Sequence, residues 1–547
     1  MNDQAQHTLP NCGARSYWRP DGITCSKFRI PRAGLSDKER EDALAEVTRY
    51  VTQASSNFLG YQSSQAFDNR HLAAFFNYAI NNIGDPFSNP DATLEDAPDG
   101  YFTLNCKWME RSVLDYFARL WHAKFPHLSP GEGPAWRDSY WGYVLSMGST
   151  EGNLVALRSA RDYLNGTRLR FEENASEPAD LSPLLTEDTQ PTAYQPVLFY
   201  SKASHYSVRK LATLLQLETF QETGERLYPG QCPIGDGKWP ESVGVEKKGQ
   251  VEVGSIDVEE LVKLAEFFMK KGHPIAVVFN YGTTFTGAYD DVERAVGKLI
   301  PLLKKYGLYE RTIWHEHSGR TFECRRKGFW FHTDGALGAA HVPFLPKIAA
   351  TADSEAFKYP VFDFRLDIQS IVLSGHKWFG AAWPCGVFMT KNRYLLTNDV
   401  PEYVGVIDST LAGSRNGLAS LVLWDQMART SDADKKEAVQ KALSTAAAAY
   451  RLLDVHFSRR GRPGVVHRAP GSLAVVFPRP EGRRGAEIIR KYALASTSKE
   501  SHIFCMPHVS IDLVQNLIKD LSRLPAEQEA LEVAAAEASM AELRAGW

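Results

Sequence analysis

Short apolar runs separated by longer stretches of helical period lay out this chain. The runs Val197 to Tyr200, Ile275 to Tyr281, Gly328 to Thr333, Ile368 to Leu373 and Gly386 to Thr390 are rich in β-branched and aromatic residues. Each is too short for a helix and reads as a strand. Between them, apolar positions recur at helical spacing, so strands and helices alternate from about residue 100 to 400. That order predicts an α/β architecture: a mainly parallel sheet with helices on both faces. Upstream, Ser36-Asp37-Lys38-Glu39 is a capping box, followed by Ala, Val and Tyr at helical spacing; it predicts a helix over about 37–57. Residues 1–35, rich in Pro, Gly and polar side chains, read as an extended arm. Past 405 the pattern changes to a helix over Leu443 to Val455, a strand over Leu473 to Phe477 and helical periodicity over Val509 to Leu521. The tail after Pro525 is rich in Ala and Glu and reads as helix. The expected divisions are an arm and helical segment over 1–100, a large α/β domain over 101–404 and a small α+β domain over 405–547. Polar stretches near 171–192 and 222–256 read as surface insertions.

Composition narrows the partners. The chain has 547 residues, 44% hydrophobic and 23% charged, with a formal net charge of −3. A near-neutral surface leaves no electrostatic footprint for nucleic acid or an anionic membrane, so a small-molecule substrate is expected. No basic stretch precedes an apolar one at the start, and no run of apolar residues is long enough to span a bilayer. A cytoplasmic location follows as the expectation. The seven cysteines are scattered, without a Cys-x-x-Cys pair, and read as reduced thiols.

Candidate chemistry gathers after the strands. The apolar run Ile371-Val372-Leu373 delivers Lys377 into a turn of small residues, Ser374-Gly375-His376-Lys377, where its amine can be desolvated. Such amines form Schiff bases with carbonyl compounds. Another strand end carries Asp334, in Thr333-Asp334-Gly335-Ala336, with neighbours small enough for a flat ring to approach the backbone. A lysine and an aspartate at neighbouring strand ends suit pyridoxal phosphate (PLP): the amine bonds the aldehyde and the carboxylate keeps the pyridine nitrogen protonated. The stretch Gly148-Ser149-Thr150-Glu151-Gly152-Asn153 runs into the helix through Leu154 to Leu164, and a helix start of small and hydroxyl residues binds phosphate. His205, in Ser204-His205-Tyr206-Ser207, could stack on a ring, and Thr283, in Asn280-Tyr281-Gly282-Thr283-Thr284, could bond a phenolic oxygen or a carboxylate. His315-Glu316-His317 lacks zinc-site spacing and reads as a surface cluster; no metal centre is expected. The basic residues near 207–210 and 302–305 read as solvated helix faces.

Taken in order, these segments, with Ser414-Arg415-Asn416-Gly417, Val476-Phe477-Pro478-Arg479-Pro480 and Met506-Pro507-His508-Val509, resemble the group II PLP-dependent amino-acid decarboxylases of fold type I. The resemblance spans about 55–525 and is strongest to the branch of bacterial histidine and plant serine decarboxylases. It implies Lys377 as the lysine bonded to PLP, Asp334 as partner of the pyridine nitrogen, His205 as the stacking imidazole and Ala336 on the opposite ring face. It further implies Ser149, Thr150, Ser374 and His376 as the phosphate holders and a homodimer that shares its active sites. Tyr403, in Glu402-Tyr403-Val404-Gly405, is implied as a proton donor, with Tyr206 as rival. Two departures stand out. Asp334-Gly335-Ala336 replaces the family's Asp-Ala-Ala, a change expected to be harmless, and Tyr61-Gln62 replaces its Pro-x-Asn pattern near the substrate wall. Neutral Tyr61 and Gln62 suit an aliphatic or thioether substrate, namely methionine, valine or leucine, ahead of histidine or an aromatic amino acid. Rival readings are an aminotransferase or oxidative deaminase, with Arg415 or Arg479 holding the substrate carboxylate, and a non-catalytic PLP-binding protein.

Overall fold

The computed structural model describes residues 23–87, 102–126, 133–170, 183–185, 189–249, 251–317, 320–346, 348–350, 356–396 and 408–524. Tyr403, the start of the N-terminal arm, most of the 171–192 insertion and the tail from Pro525 lie outside them. Two compact units divide the chain, one of residues 62–477 with 504–511, the other of the remaining segments.

The larger unit is built on a six-stranded sheet of β1 (Tyr140–Leu145), β2 (Val197–Phe199), β3 (Ile275–Asn280), β4 (Phe329–Asp334), β5 (Ser370–Ser374) and β6 (Gly386–Lys391), in the order β1-β6-β5-β4-β3-β2. Strands β2 to β5 are parallel neighbours, whereas β6 is antiparallel to both β5 and β1. Five strands therefore point the same way, and the expected mainly parallel sheet is present. Strand β1 is the one the apolar pattern did not reveal, because Gly142 interrupts it and it runs straight into the polar loop at 146–150. The expected strand at 328–333 shifts to end at Asp334, which pairs with Asn280 on one side and Val372 on the other.

Helices cover both faces. Alternation along β2 turns Leu198 toward a core with α3 (Ser149–Leu164) and α4 (Ser207–Leu215), while Phe199 packs against Phe268 of α5 (Val258–Lys270) with ring centroids 5.8 Å apart. A neighbouring core joins Tyr143 and Leu145 of β1 to Val155 and Ala156 of α3, Val372 and Phe388. Further out, α2 (Lys107–Leu120) packs on α7 (Gly417–Ala428), and α6 (Val292–Lys305) packs on α5. The helix predicted around 443–455 is longer, α8 (Asp432–Arg459), because Ser431 and Asp434 form a capping box well upstream of the apolar stretch. In the smaller unit α1 (Asp37–Ser56) begins at the predicted capping box of Ser36 and Glu39, and the Tyr492 hydroxyl donates to Asp520 at 2.8 Å.

One expectation fails outright. His315 is not at the surface: it lies on a hairpin of Arg311–His317 and Arg320–Arg326, whose alternation turns it inward, fully buried, with Nε2 bonded to the Gly166 carbonyl at 2.9 Å. Among the described residues no group of side chains is arranged to hold a metal ion, and no helix is long and apolar enough to cross a membrane. Cys106, Cys232, Cys385 and Cys505 are buried free thiols.

Candidate active site

Because five strands share a direction, the loops after them open on one edge of the sheet, where ligands of such folds bind. A cavity of about 200 Å³ lies there, lined by Ser149 and Thr150 after β1, His205 after β2, Thr283 after β3, Asp334 and Ala336 at the end of β4, and Ser374, His376 and Lys377 after β5. Nine residues picked from distant parts of the sequence thus meet in one place.

Lys377 is half-buried, and desolvation holds its amine below the ordinary lysine value against the opposing pull of Asp334. Nζ donates to Gln62 Oε1 at 2.7 Å. The Gln62 amide cannot turn away, since its Nε2 is spent on the carbonyls of Thr283 at 3.2 Å and Thr284 at 3.3 Å. Ser64 N–H on the Lys377 carbonyl at 2.9 Å pins the same segment over the lysine. Tyr61, the other expected wall residue, belongs to the smaller unit, where it is 55% exposed and stacks on Phe58.

Helix α3 begins at Ser149 after Gly148, and no side chain caps it. First-turn N–H groups at such a start bind anions. Gly148 has φ of 73°, and a Cβ there would lie 2.7 Å from His376 Cε1, so only glycine lets the loop close against that ring. Ser149 and Ser374 are bonded to each other, N to Oγ at 3.1 Å and Oγ to Oγ at 2.8 Å. Glu151 shapes the loop from behind, accepting Ser146 N–H and Met147 N–H, each at 2.8 Å. Burial lowers the pKa of His376, which the Cys385 carbonyl opposes.

His205 Nδ1 lies 2.6 Å from Ser207 Oγ and accepts Ser207 N–H at 3.3 Å, which leaves the proton of a neutral ring on Nε2. Burial lowers its pKa, Asp334 raises it and Lys377 lowers it again. The Thr283 hydroxyl is drawn into its own turn by Ala288 N–H and Thr286, both at 2.9 Å. Tyr206 is 76% exposed, its ring 4.3 Å from that of His205. Gly335 is not merely tolerated: a Cβ would fall 2.4 Å from Ala339 Cβ, so the alanine found elsewhere in the family does not fit without movement.

No family model matches the chain. The crystal structure of L-methionine decarboxylase from Streptomyces sp. 590, in complex with L-methionine methyl ester, matches with a TM-score of 0.80 at 35% identity, over 92% of this chain and 98% of that one. The chain belongs to the group II PLP-dependent amino-acid decarboxylases. Serine decarboxylase 1 of Oryza sativa subsp. japonica is 27% identical over 509 residues, 91% of this chain and 80% of that protein. Histidine decarboxylase of Acinetobacter baumannii (strain ACICU) is 28% identical over 454 residues, 82% and 86% of the two chains. The group II decarboxylases are fold type I enzymes that release the carboxyl group of an amino acid, and the family implies PLP as cofactor.

The residues of this decarboxylase fit that cofactor: a helix start with a glycine N-cap for a phosphate, a desolvated amine for an aldehyde and a carboxylate, Asp334, in the same cavity. Two neighbours of the site carried no role in the sequence reading. Asn153 Nδ2 donates to Asp334 Oδ2 at 2.8 Å, and His332 Nε2 meets Asn153 Oδ1 at 2.9 Å. Both were legible in principle, Asn153 one helical turn after Ser149 and His332 two residues before Asp334 on the same strand face. Arg415, imagined on a substrate carboxylate, is instead buried, paired with Glu110 and donating to the Gly84 carbonyl at 2.9 Å. Arg479 is exposed and donates to the Thr497 carbonyl at 3.3 Å.

Proposed function

We propose that this enzyme decarboxylates an L-amino acid with an aliphatic or thioether side chain, methionine first, then valine or leucine, to the primary amine and CO₂. The observation that carries the reading is the neutral pairing of Gln62 with a desolvated Lys377, in a cavity whose described lining holds no carboxylate other than Asp334. A cationic substrate side chain would find no counter-charge there. The Streptomyces relative acts on L-methionine, which agrees with this choice.

Bound PLP supplies the electron sink for the pair left at Cα when the carboxylate departs. The chain's own residues do the rest. Lys377 presents its amine at Nζ, desolvated, and Gln62 keeps it oriented. Asp334 would offer a carboxylate to the ring nitrogen, and His205 and Ala336, which line the same cavity, would pack against the ring. Ser149, Thr150, Ser374 and His376 hold the phosphate. Thr283 lies near the phenolic oxygen or the substrate carboxylate. Tyr403 is the proposed proton donor, with Tyr206 as rival. Arg415 is taken up by Glu110, and among the described residues no arginine lines the cavity to grip a carboxylate in the ring plane, which favours departure of that carboxylate into a low-polarity site over transamination. We further propose a cytoplasmic homodimer. Phe76, Tyr78, Leu104 and Trp108 are exposed apolar side chains of the larger unit that a partner would bury, and buried free thiols suit a reducing compartment.

The test is incubation of the PLP-loaded protein with each of the twenty amino acids and identification of amines by mass. Methionine should yield 3-(methylthio)propylamine. A keto acid in place of an amine, or turnover confined to histidine, would refute the assignment.

A further inference from the structure

Behind Asp334 runs a chain of buried hydrogen bonds. Trp330 Nε1 donates to Ser370 Oγ at 3.0 Å. An indole N–H can donate and never accept, so Ser370 Oγ is the acceptor there. Its own proton is left available to His332 Nδ1, 2.9 Å away. A proton on Nδ1 would instead face the Ser370 carbonyl at the longer distance of 3.2 Å and leave the lone pair of Nε2 against Asn153 Oδ1, since Asn153 Nδ2 is spent on Asp334. With Nδ1 accepting, a neutral His332 carries its proton on Nε2 and donates to Asn153 Oδ1 at 2.9 Å. Burial keeps that ring neutral, pushing its pKa down to about 4. The Asn153 oxygen thus faces the histidine and its Nδ2 donates to Asp334 Oδ2 at 2.8 Å. Oδ1 of Asp334 receives Ala336 N–H at 3.2 Å. Trp330, Ser370, His332 and Asn153 are all at most 2% exposed, so bulk water cannot replace a lost link.

We propose that Trp330, Ser370, His332 and Asn153 form a one-way relay that presents a fixed donor to Asp334 Oδ2, sets the carboxylate toward the pyridine nitrogen of bound PLP and so keeps that nitrogen protonated. The proposal rests on the reading of Asp334 as partner of that nitrogen. Asp334 itself meets two donors, Asn153 Nδ2 on Oδ2 and Ala336 N–H on Oδ1, and the relay fixes which end of the Asn153 amide it sees. Lys377, His205 and His332 are the titratable groups that act on Asp334, and the relay reaches it through Asn153, which does not titrate. The four are positioning residues, since none needs to touch substrate.

The experiment loads the protein with PLP labelled with 15N in the ring and follows the 15N shift against pH, alongside PLP affinity, kcat and KM. In the wild-type protein the nitrogen should stay protonated throughout. In His332→Leu it should titrate within the folded range and kcat should fall on the order of 10- to 100-fold, the scale of lost outer-shell partners, with KM little changed. His332→Gln, which keeps an N–H toward Asn153, should restore both. Trp330→Phe keeps an aromatic ring in the core and should repeat the His332→Leu shift, which covers the case in which His332→Leu does not fold. A protonated nitrogen in both variants overturns the relay, even if kcat falls. Asp334→Asn separates the two readings: if it too leaves the nitrogen protonated, the role of Asp334 fails; if it alone deprotonates the nitrogen, only the relay fails.

Discussion

Lys377 has an unusual amine because of where it sits. Desolvation places its folded pKa below the unfolded value, with Asp334 pulling the other way. Below the folded value both states bind the proton and the cost of burying the charge is complete. As pH rises past it the folded chain releases its proton first, and stability increases up to the unfolded value. Cofactor uptake by the apo-protein, read as visible absorbance, should therefore accelerate with a midpoint below the ordinary lysine value. A midpoint at that value would mean a solvated amine. Gly335 offers a second check: Gly335→Ala forces a methyl against Ala339 and should destabilise by about 1–3 kcal/mol in urea unfolding. Residue types at the strand ends announced Lys377, Asp334 and His205 in the sequence. The desolvation of one and the Ser207 partner of another were not readable, since burial is a property of what surrounds a residue.

Helix α3 and strand β1 illustrate the next scale. The small residues at 148–152 signalled an anion-binding helix start, whereas β1 was not legible because Gly142 interrupts its apolar run and the polar loop at 146–150 follows it directly. Glu110 of α2 ties these elements together, accepting Val144 N–H of β1 at 2.8 Å and Asn82 Nδ2 at 2.9 Å while pairing with Arg415. Arg415→Met leaves a buried, uncompensated carboxylate and should cost about 3–5 kcal/mol in urea unfolding; the double change with Glu110→Gln should recover most of it. A loss under about 1 kcal/mol would show that water reaches Glu110. Sequence supplies the charge of Arg415 but not its partner 305 positions away, which is why a substrate-binding role could be entertained.

At the scale of the whole molecule, the proposed dimer is open to a direct measurement. Sedimentation should give twice the mass of one chain, and Phe76→Glu with Trp108→Glu should reduce it to one chain with loss of turnover. A wild-type protein that sediments at single-chain mass would end the proposal. The sequence by itself determined the α/β layout, the strand ends that bear chemistry and the cofactor class, because hydrophobic period and residue type act locally along the chain. Only the tertiary structure decided that Gln62 meets Lys377 across 315 positions, that Arg415 is consumed by Glu110, and that Asp334 is held through Asn153. Those outcomes depend on the parallel sheet bringing remote loops to one edge, where distance and desolvation, absent from any linear pattern, set the state of each group.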